Sequence, residues 1–311
     1  MKPSLRRALR IVGSLGLLLA TALWVDVGAV VAELSAARIG PSLIALGLSL
    51  PLMATLAGRW SFTARRLGLD MPMRVAVAEY YASTFLNKVL PGGVLGDVGR
   101  AVRGGRRNPD AKGAMVRSVL LERFSGQVAL WVFVVVGLVR WGADEGRRVA
   151  IAVGLAVLLA GLLAAALSRV PRFAQSGFGR AWTLVMTEVR RAFLERGAWA
   201  VQLGLSLLSV ALLVAIYAAC TQAVGAQVGV SQLLFIAPVL LAVTTLPVSV
   251  GGWGIREVAS IALFEMTGLD PAAGVAASAA FGGLNLLGSL PGAVVLLRRA
   301  PASAQTEQDD E

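Results

Sequence analysis

The sequence predicts an all-α polytopic membrane protein of about 6–8 transmembrane helices, with two re-entrant hairpins that form an inverted repeat. Three observations predict it. Of 311 residues, 57% are hydrophobic and 15% charged, at a mean hydropathy of +0.74, whereas a soluble domain carries about 25% charged residues. The apolar residues fall into runs long enough to cross a bilayer, joined by short arginine-rich loops. Two further apolar stretches, one in each half of the chain, are interrupted by proline and glycine at matching positions.

The elements follow in order. Lys2, Arg6, Arg7 and Arg10 precede an apolar run over about 11–32, too long for a cleaved leader, which reads as a first helix. A second span over roughly 41–60 is followed by Arg59, Arg65, Arg66 and Arg74, which puts the N-terminus and this loop on the cytoplasmic side. The first broken segment runs from Pro72 to Arg100, and Arg103, Arg106, Arg107, Lys112 and Arg117 follow. With basic residues on both flanks, it is expected to enter from the cytoplasm and return there. Spans are expected over about 116–139, 149–167 and 198–219, with an amphipathic surface helix over 178–194 in the arginine-rich connection before the last of these. Residues 233–246 are too few to cross about 30 Å of hydrocarbon. They lead into the second broken segment and a short helix over 255–266, flanked by stretches without Lys or Arg, so this hairpin is expected to enter from outside. A last span over about 271–297 ends at Arg298 and Arg299. This gives a transmembrane domain over 1–299 with cytoplasmic termini and a polar, acidic, disordered tail over 300–311.

The broken segments carry the functional argument. In one, Asn87 leads to Leu90-Pro91-Gly92-Gly93, then Gly96, Asp97 and Arg100; in the other, Leu246-Pro247 leads to Gly251, Gly252, Gly254, Arg256 and Glu257. Counted from the proline, both have Leu before it, Gly five residues on and Arg nine residues on. Irregular backbone at membrane depth is tolerated where it lines a cavity or packs on protein, and paired breaks in two halves point to a transport site. The competing reading is plain helix packing through Gly92 and Gly96 as small residues four apart.

Composition excludes several chemistries. There is no histidine, and Cys220 is the lone cysteine. The usual zinc, haem and iron–sulfur ligand sets are therefore missing, so no metal site and no cofactor is expected, and histidine acid–base catalysis is ruled out. A net charge of +11, lying in the loops, reads as topology and anionic-lipid contact and not as nucleic-acid binding. Arg100 and Arg256 are candidates for holding an anionic headgroup through the guanidinium fork, with Asn87 and the backbone of Gly96, Gly252 and Gly254 adding donors. Pairing of Arg100 with Asp97 and of Arg256 with Glu257 is the alternative. Asp97, Glu122 and Glu257 are candidate coupling or structural carboxylates. Glu122 and Arg123 are adjacent, about 100° apart on a helix, so each must bond to a different element. Trp182, Trp199 and Trp253 are expected as interfacial anchors.

Taken together, Asn87, Leu90-Pro91-Gly92, Gly96-Asp97, Arg100, Leu121-Glu122-Arg123, Leu246-Pro247, Gly251-Gly252, Gly254 and Arg256-Glu257 resemble the flippase-like integral membrane family that includes the transmembrane region of lysylphosphatidylglycerol synthases. Asp97 stands where that family more often has Glu. The resemblance runs over about residues 5–299. It implies movement of a lipid or lipid-linked headgroup across a bacterial inner membrane, with membrane lipids as partners and no reaction catalysed. With a short polar tail after Arg299, no synthetase domain is expected, so aminoacyl transfer is not implied. The alternative is a membrane scaffold recruiting a lipid-modifying or glycosyl-transferring enzyme. An integral enzyme acting on lipid phosphate is disfavoured by the missing ligand residues.

Overall fold

A computed structural model describes residues 35–90, 94–107, 109–141, 177–245 and 251–298. Among these residues every regular element is helical: α1 (Ile39–Arg66), α2 (Met73–Val89), α3 (Leu95–Arg107), α4 (Lys112–Trp141), α5 (Gly177–Val189), α6 (Ala198–Ala223), α7 (Val230–Val243), α8 (Ile255–Met266), α9 (Pro271–Ser289) and α10 (Pro291–Leu297). The expected spans over 11–32 and 149–167, the breaks at Pro91, Gly92, Gly93 and Pro247, and the tail over 300–311 lie outside the described residues.

Among the described residues four stretches are long and apolar enough to cross a bilayer: Ile39–Arg66, Lys112–Arg140, Ala198–Ala223 and Pro271–Leu297. Helix α4 shows how they sit. Val116, Leu120, Phe124, Val128, Val132, Val136 and Val139 are exposed along one face, while Ser118 and Glu122 are wholly buried. Apolar outside and charged inside is the pattern that hydrocarbon solvent selects. The protein is an integral membrane protein.

Helix α1 ends later than the sequence predicts, and this is a correction with a clear cause. The expected end near Trp60 treated Arg59 as a flanking charge. Arg59 is buried and bonded inside the bundle, and the helix runs on to a glycine stop: Gly68 takes φ 78° and Leu69 N–H donates to Ala64 O at 3.0 Å. The last span is divided at Leu290 by Pro291, which opens α10. The surface helix predicted over 178–194 is α5, continued by a π-helical turn over Arg190–Leu194.

The long helices set a common axis. α1 and α6 are antiparallel: Arg38 N–H donates to Ala223 O at 2.8 Å at one end, and Gln202 Nε2 donates to Thr63 Oγ1 at 2.7 Å towards the other. α4 starts beside the end of α1, where Trp60 Nε1 donates to Ser118 Oγ at 3.1 Å. Arg65, Arg66, Arg106, Arg107 and Arg117 gather at this basic end.

The remaining helices pair as two hairpins. At 17 and 13 residues, α2 and α3 are about 26 and 20 Å long, short of a bilayer core. They run antiparallel, joined by Asn87 to Asp97, Ser83 to Asp97 and Arg103 to Glu79. The base of this hairpin is at the basic end, where Gly104 abuts Met115 of α4. α7 and α8, of 14 and 12 residues, form the second hairpin, closed at its base by Gln232 Nε2 donating to Thr267 O at 2.9 Å. That base is at the opposite end, because Gly137, near the end of α4, lies against the Leu234 carbonyl. The two hairpins thus approach from opposite ends of α4, and their tips touch: a Cβ on Gly251 would stand 2.7 Å from Lys88 O.

Gly96 closes the first hairpin. A Cβ there would run into the Ser83 carbonyl and stand 2.8 Å from Asn87 Oδ1. Gly96→Ala is expected to part α2 from α3 and cost about 1–3 kcal/mol, measured as a lower thermal midpoint in detergent than for Gly283→Ala, whose site is open.

Candidate functional site

Two buried ionic clusters flank the meeting point of the hairpins. The first is built around Glu122. Its Oε1 accepts from Arg59 Nε at 3.0 Å, from Arg59 Nη2 at 2.5 Å and from the Tyr80 hydroxyl at 3.1 Å, and its Oε2 accepts from Arg100 Nη2 at 2.7 Å. Arg100 is completely buried, its guanidinium lying between the rings of Trp60 at 4.8 Å and Tyr80 at 4.5 Å. Its Nε faces Asp97 Oδ1 at 3.0 Å as an ion pair without hydrogen-bond alignment, and its Nη1 has no hydrogen-bond partner among the described residues. Asp97 also accepts from Ser83 Oγ and Asn87 Nδ2, each at 3.0 Å, and pairs with Arg123.

Glu122 and Arg123 thus bond to different elements, as their helical separation requires. Three guanidiniums share two carboxylates here. In an apolar bundle an unpaired buried charge is expensive, so removing the hub carboxylate exposes two cations to that cost.

The second cluster opens α8. Arg256 Nη2 donates to Glu257 Oε1 at 2.9 Å and its Nε to Ser278 Oγ at 2.8 Å, while Ser278 Oγ donates to the same Glu257 oxygen at 2.9 Å. Glu257 Oε2 accepts from Gly254 N–H at 2.7 Å, which satisfies a first-turn donor of the helix. Gly254 has φ 86°, open to glycine and strained for other residues. The Arg256 guanidinium lies over Trp253 at 5.0 Å and Phe281 at 5.8 Å. Trp253 therefore packs on a cation, a correction to its expected role as an interfacial anchor. Trp199, exposed in the first turn of α6, stands at the basic end; the side chain of Trp182 lies outside the described part.

Several donors expected for a headgroup are engaged within the protein. Gly96 N–H donates to Asn87 Oδ1 at 2.7 Å, Asn87 Nδ2 is on Asp97 and Gly254 N–H is on Glu257. Both arginines make the carboxylate pairs that the sequence offered as the alternative, and Arg100 makes a second one to Glu122. The proline-spaced repeat is inexact in space: Arg100 is the sixth residue of α3 and Arg256 the second of α8. Gly252 lies in the turn with φ 84°, close to Thr244. Among the described residues no group of His, Cys, Asp and Glu side chains could hold a metal ion.

The family model for the lysylphosphatidylglycerol synthase TM region matches residues 7–292. The chain belongs to this family. The match spans both hairpins and both ionic clusters. Comparison with curated proteins gives no match.

Sequence reasoning missed Arg59, Trp60 and Tyr80 around Glu122, and Ser278 and Phe281 around Arg256. Glu122→Gln is expected to destabilise the protein by about 3–5 kcal/mol, because it leaves buried Arg59 without a carboxylate and Arg100 with Asp97 alone. Arg123→Gln, whose partner Asp97 keeps other donors, should cost less. Detergent thermal melts of both variants check the order.

Proposed function

We propose that this protein moves an anionic lipid, or the headgroup of a lipid-linked molecule, between the leaflets of a bacterial inner membrane, catalysing no reaction itself. The observation that carries the reading is the tip-to-tip contact of two hairpins that come from opposite ends of α4, at Lys88 and Gly251. Cations crowd both sides of that contact. Polar and ionic side chains within a membrane bundle are costly to insert and mark substrate paths, and paired hairpins meeting at mid-depth suit a site reached from either side. Membership of the synthase TM region family supports a role in lipid modification or transport.

In this reading the hairpins are re-entrant and form an inverted repeat. The basic end faces the cytoplasm by the positive-inside rule, with both termini on that side. The Glu122 cluster clamps the first hairpin onto α1 and α4, so Arg100 and Asp97 act chiefly by holding the tip in place. Arg256 lies closer to the headgroup path.

The test is scrambling of fluorescent phosphatidylglycerol in liposomes containing purified full-length protein. Wild type is expected to exchange the lipid between leaflets, and Arg256→Ala, folded by thermal melt, to slow it about tenfold or more, the scale of a lost charge-assisted contact. Absence of exchange by wild type overturns transport of this lipid and shifts weight to a scaffold for a lipid-modifying enzyme.

A further inference from the structure

We propose that Lys88 and Arg256 together form a receptor for one phosphate group at the junction of the hairpin tips. The proposal rests on the lipid-transport reading and names the chemistry that the site would recognise. Lys88 is in the last turn of α2, half-buried, and has no hydrogen-bond acceptor or carboxylate partner among the described residues. Its backbone carries the contact between the tips: a Cβ on Gly251 would stand 2.7 Å from its carbonyl oxygen and 3.3 Å from its Cα. Gly252, the next residue, stands beside the Arg256 guanidinium, so Lys88 and Arg256 border the same glycine turn.

Arg256 keeps a free edge towards the same place. Its Nε is used by Ser278 and its Nη2 by Glu257, while Nη1 makes no hydrogen bond among the described residues and lies 3.9 Å from where a Cβ on Gly252 would be. The nearby carboxylates are already engaged. Glu257 accepts from Arg256, Ser278 and Gly254, and Asp97 from Ser83, Asn87 and Arg123. Among the described residues Glu257 is the one carboxylate paired with either group, so an anion in the turn would hold Lys88 in its charged form and balance both groups. Phosphate fits because an ammonium and a guanidinium edge bind two of its oxygens through charge-assisted hydrogen bonds. The enclosed Arg100, between two rings and wholly buried, leaves no comparable approach.

The experiment is calorimetric titration of dihexanoyl-phosphatidylglycerol, and separately of inorganic phosphate, into full-length protein in neutral detergent. It compares wild type, Lys88→Gln, Lys88→Arg and Lys112→Gln, the last removing one exposed charge at the basic end. Lys88→Gln is expected to weaken binding about tenfold, with Lys88→Arg and Lys112→Gln close to wild type. Without ligand, Lys88→Gln should melt no lower than wild type, because it removes a half-buried amine that has no carboxylate partner among the described residues; a merely structural lysine would give a lower midpoint. Binding of the lipid alone assigns the site to a headgroup, and binding of both ligands assigns it to phosphate from either source. Equal binding by wild type and Lys88→Gln, or no binding by wild type, overturns the receptor. Lys88-dependent binding without lipid exchange in liposomes sinks the transport reading and keeps the receptor; exchange indifferent to Lys88 does the reverse.

Discussion

The carboxylate of Glu122 is the constraint on which the first half of the bundle depends. It receives Arg59 from α1, Arg100 from α3 and the Tyr80 hydroxyl from α2, all away from solvent. Four helices therefore share one acceptor, and their relative depth is fixed by where its two oxygens sit. Salt bridges of this kind seldom add net stability over a well-packed apolar core, yet they are severe on any arrangement that breaks them. Their effect is to make one register of the hairpin against α4 far better than its neighbours. The rings of Trp60 and Tyr80 reinforce that choice by enclosing the guanidinium of Arg100 from two sides.

The second cluster joins fewer elements and is equally buried. Arg256 is held by Glu257 and Ser278, and Glu257 in turn holds the Gly254 amide, so the start of α8, the turn before it and α9 are one polar unit. Here the ionic pair caps a helix instead of joining four of them. The two hairpins thus resemble each other in their broken sequences and differ in what their buried arginines do: Arg100 is part of a clamp on four helices, and Arg256 ties the start of α8 to α9.

Much of this was legible in the sequence. The hairpins, the opposite ends from which they approach and the limits of α8 follow from segment length, proline and glycine breaks and the distribution of arginine. So does the separation of Glu122 from Arg123. What escaped was the set of partners. Arg59 looked like a flanking charge because a charge count along the chain does not report where a helix stops; the stop is Gly68, two turns later. Tyr80, Ser278 and Phe281 have no local pattern that marks them, since their roles arise only when α2 and α9 pack beside helices distant in sequence. Trp253 was read as an anchor from residue type alone, and its position next to Arg256 gives it another task.

The tips meet through backbone at Lys88 and Gly251, and in the transport reading an anion passing from one hairpin to the other would cross there. For an anion crossing that point, each elementary charge would be worth about 2.3 kcal/mol per 100 mV. With the cell interior negative, the field would drive such an anion outward and resist its return.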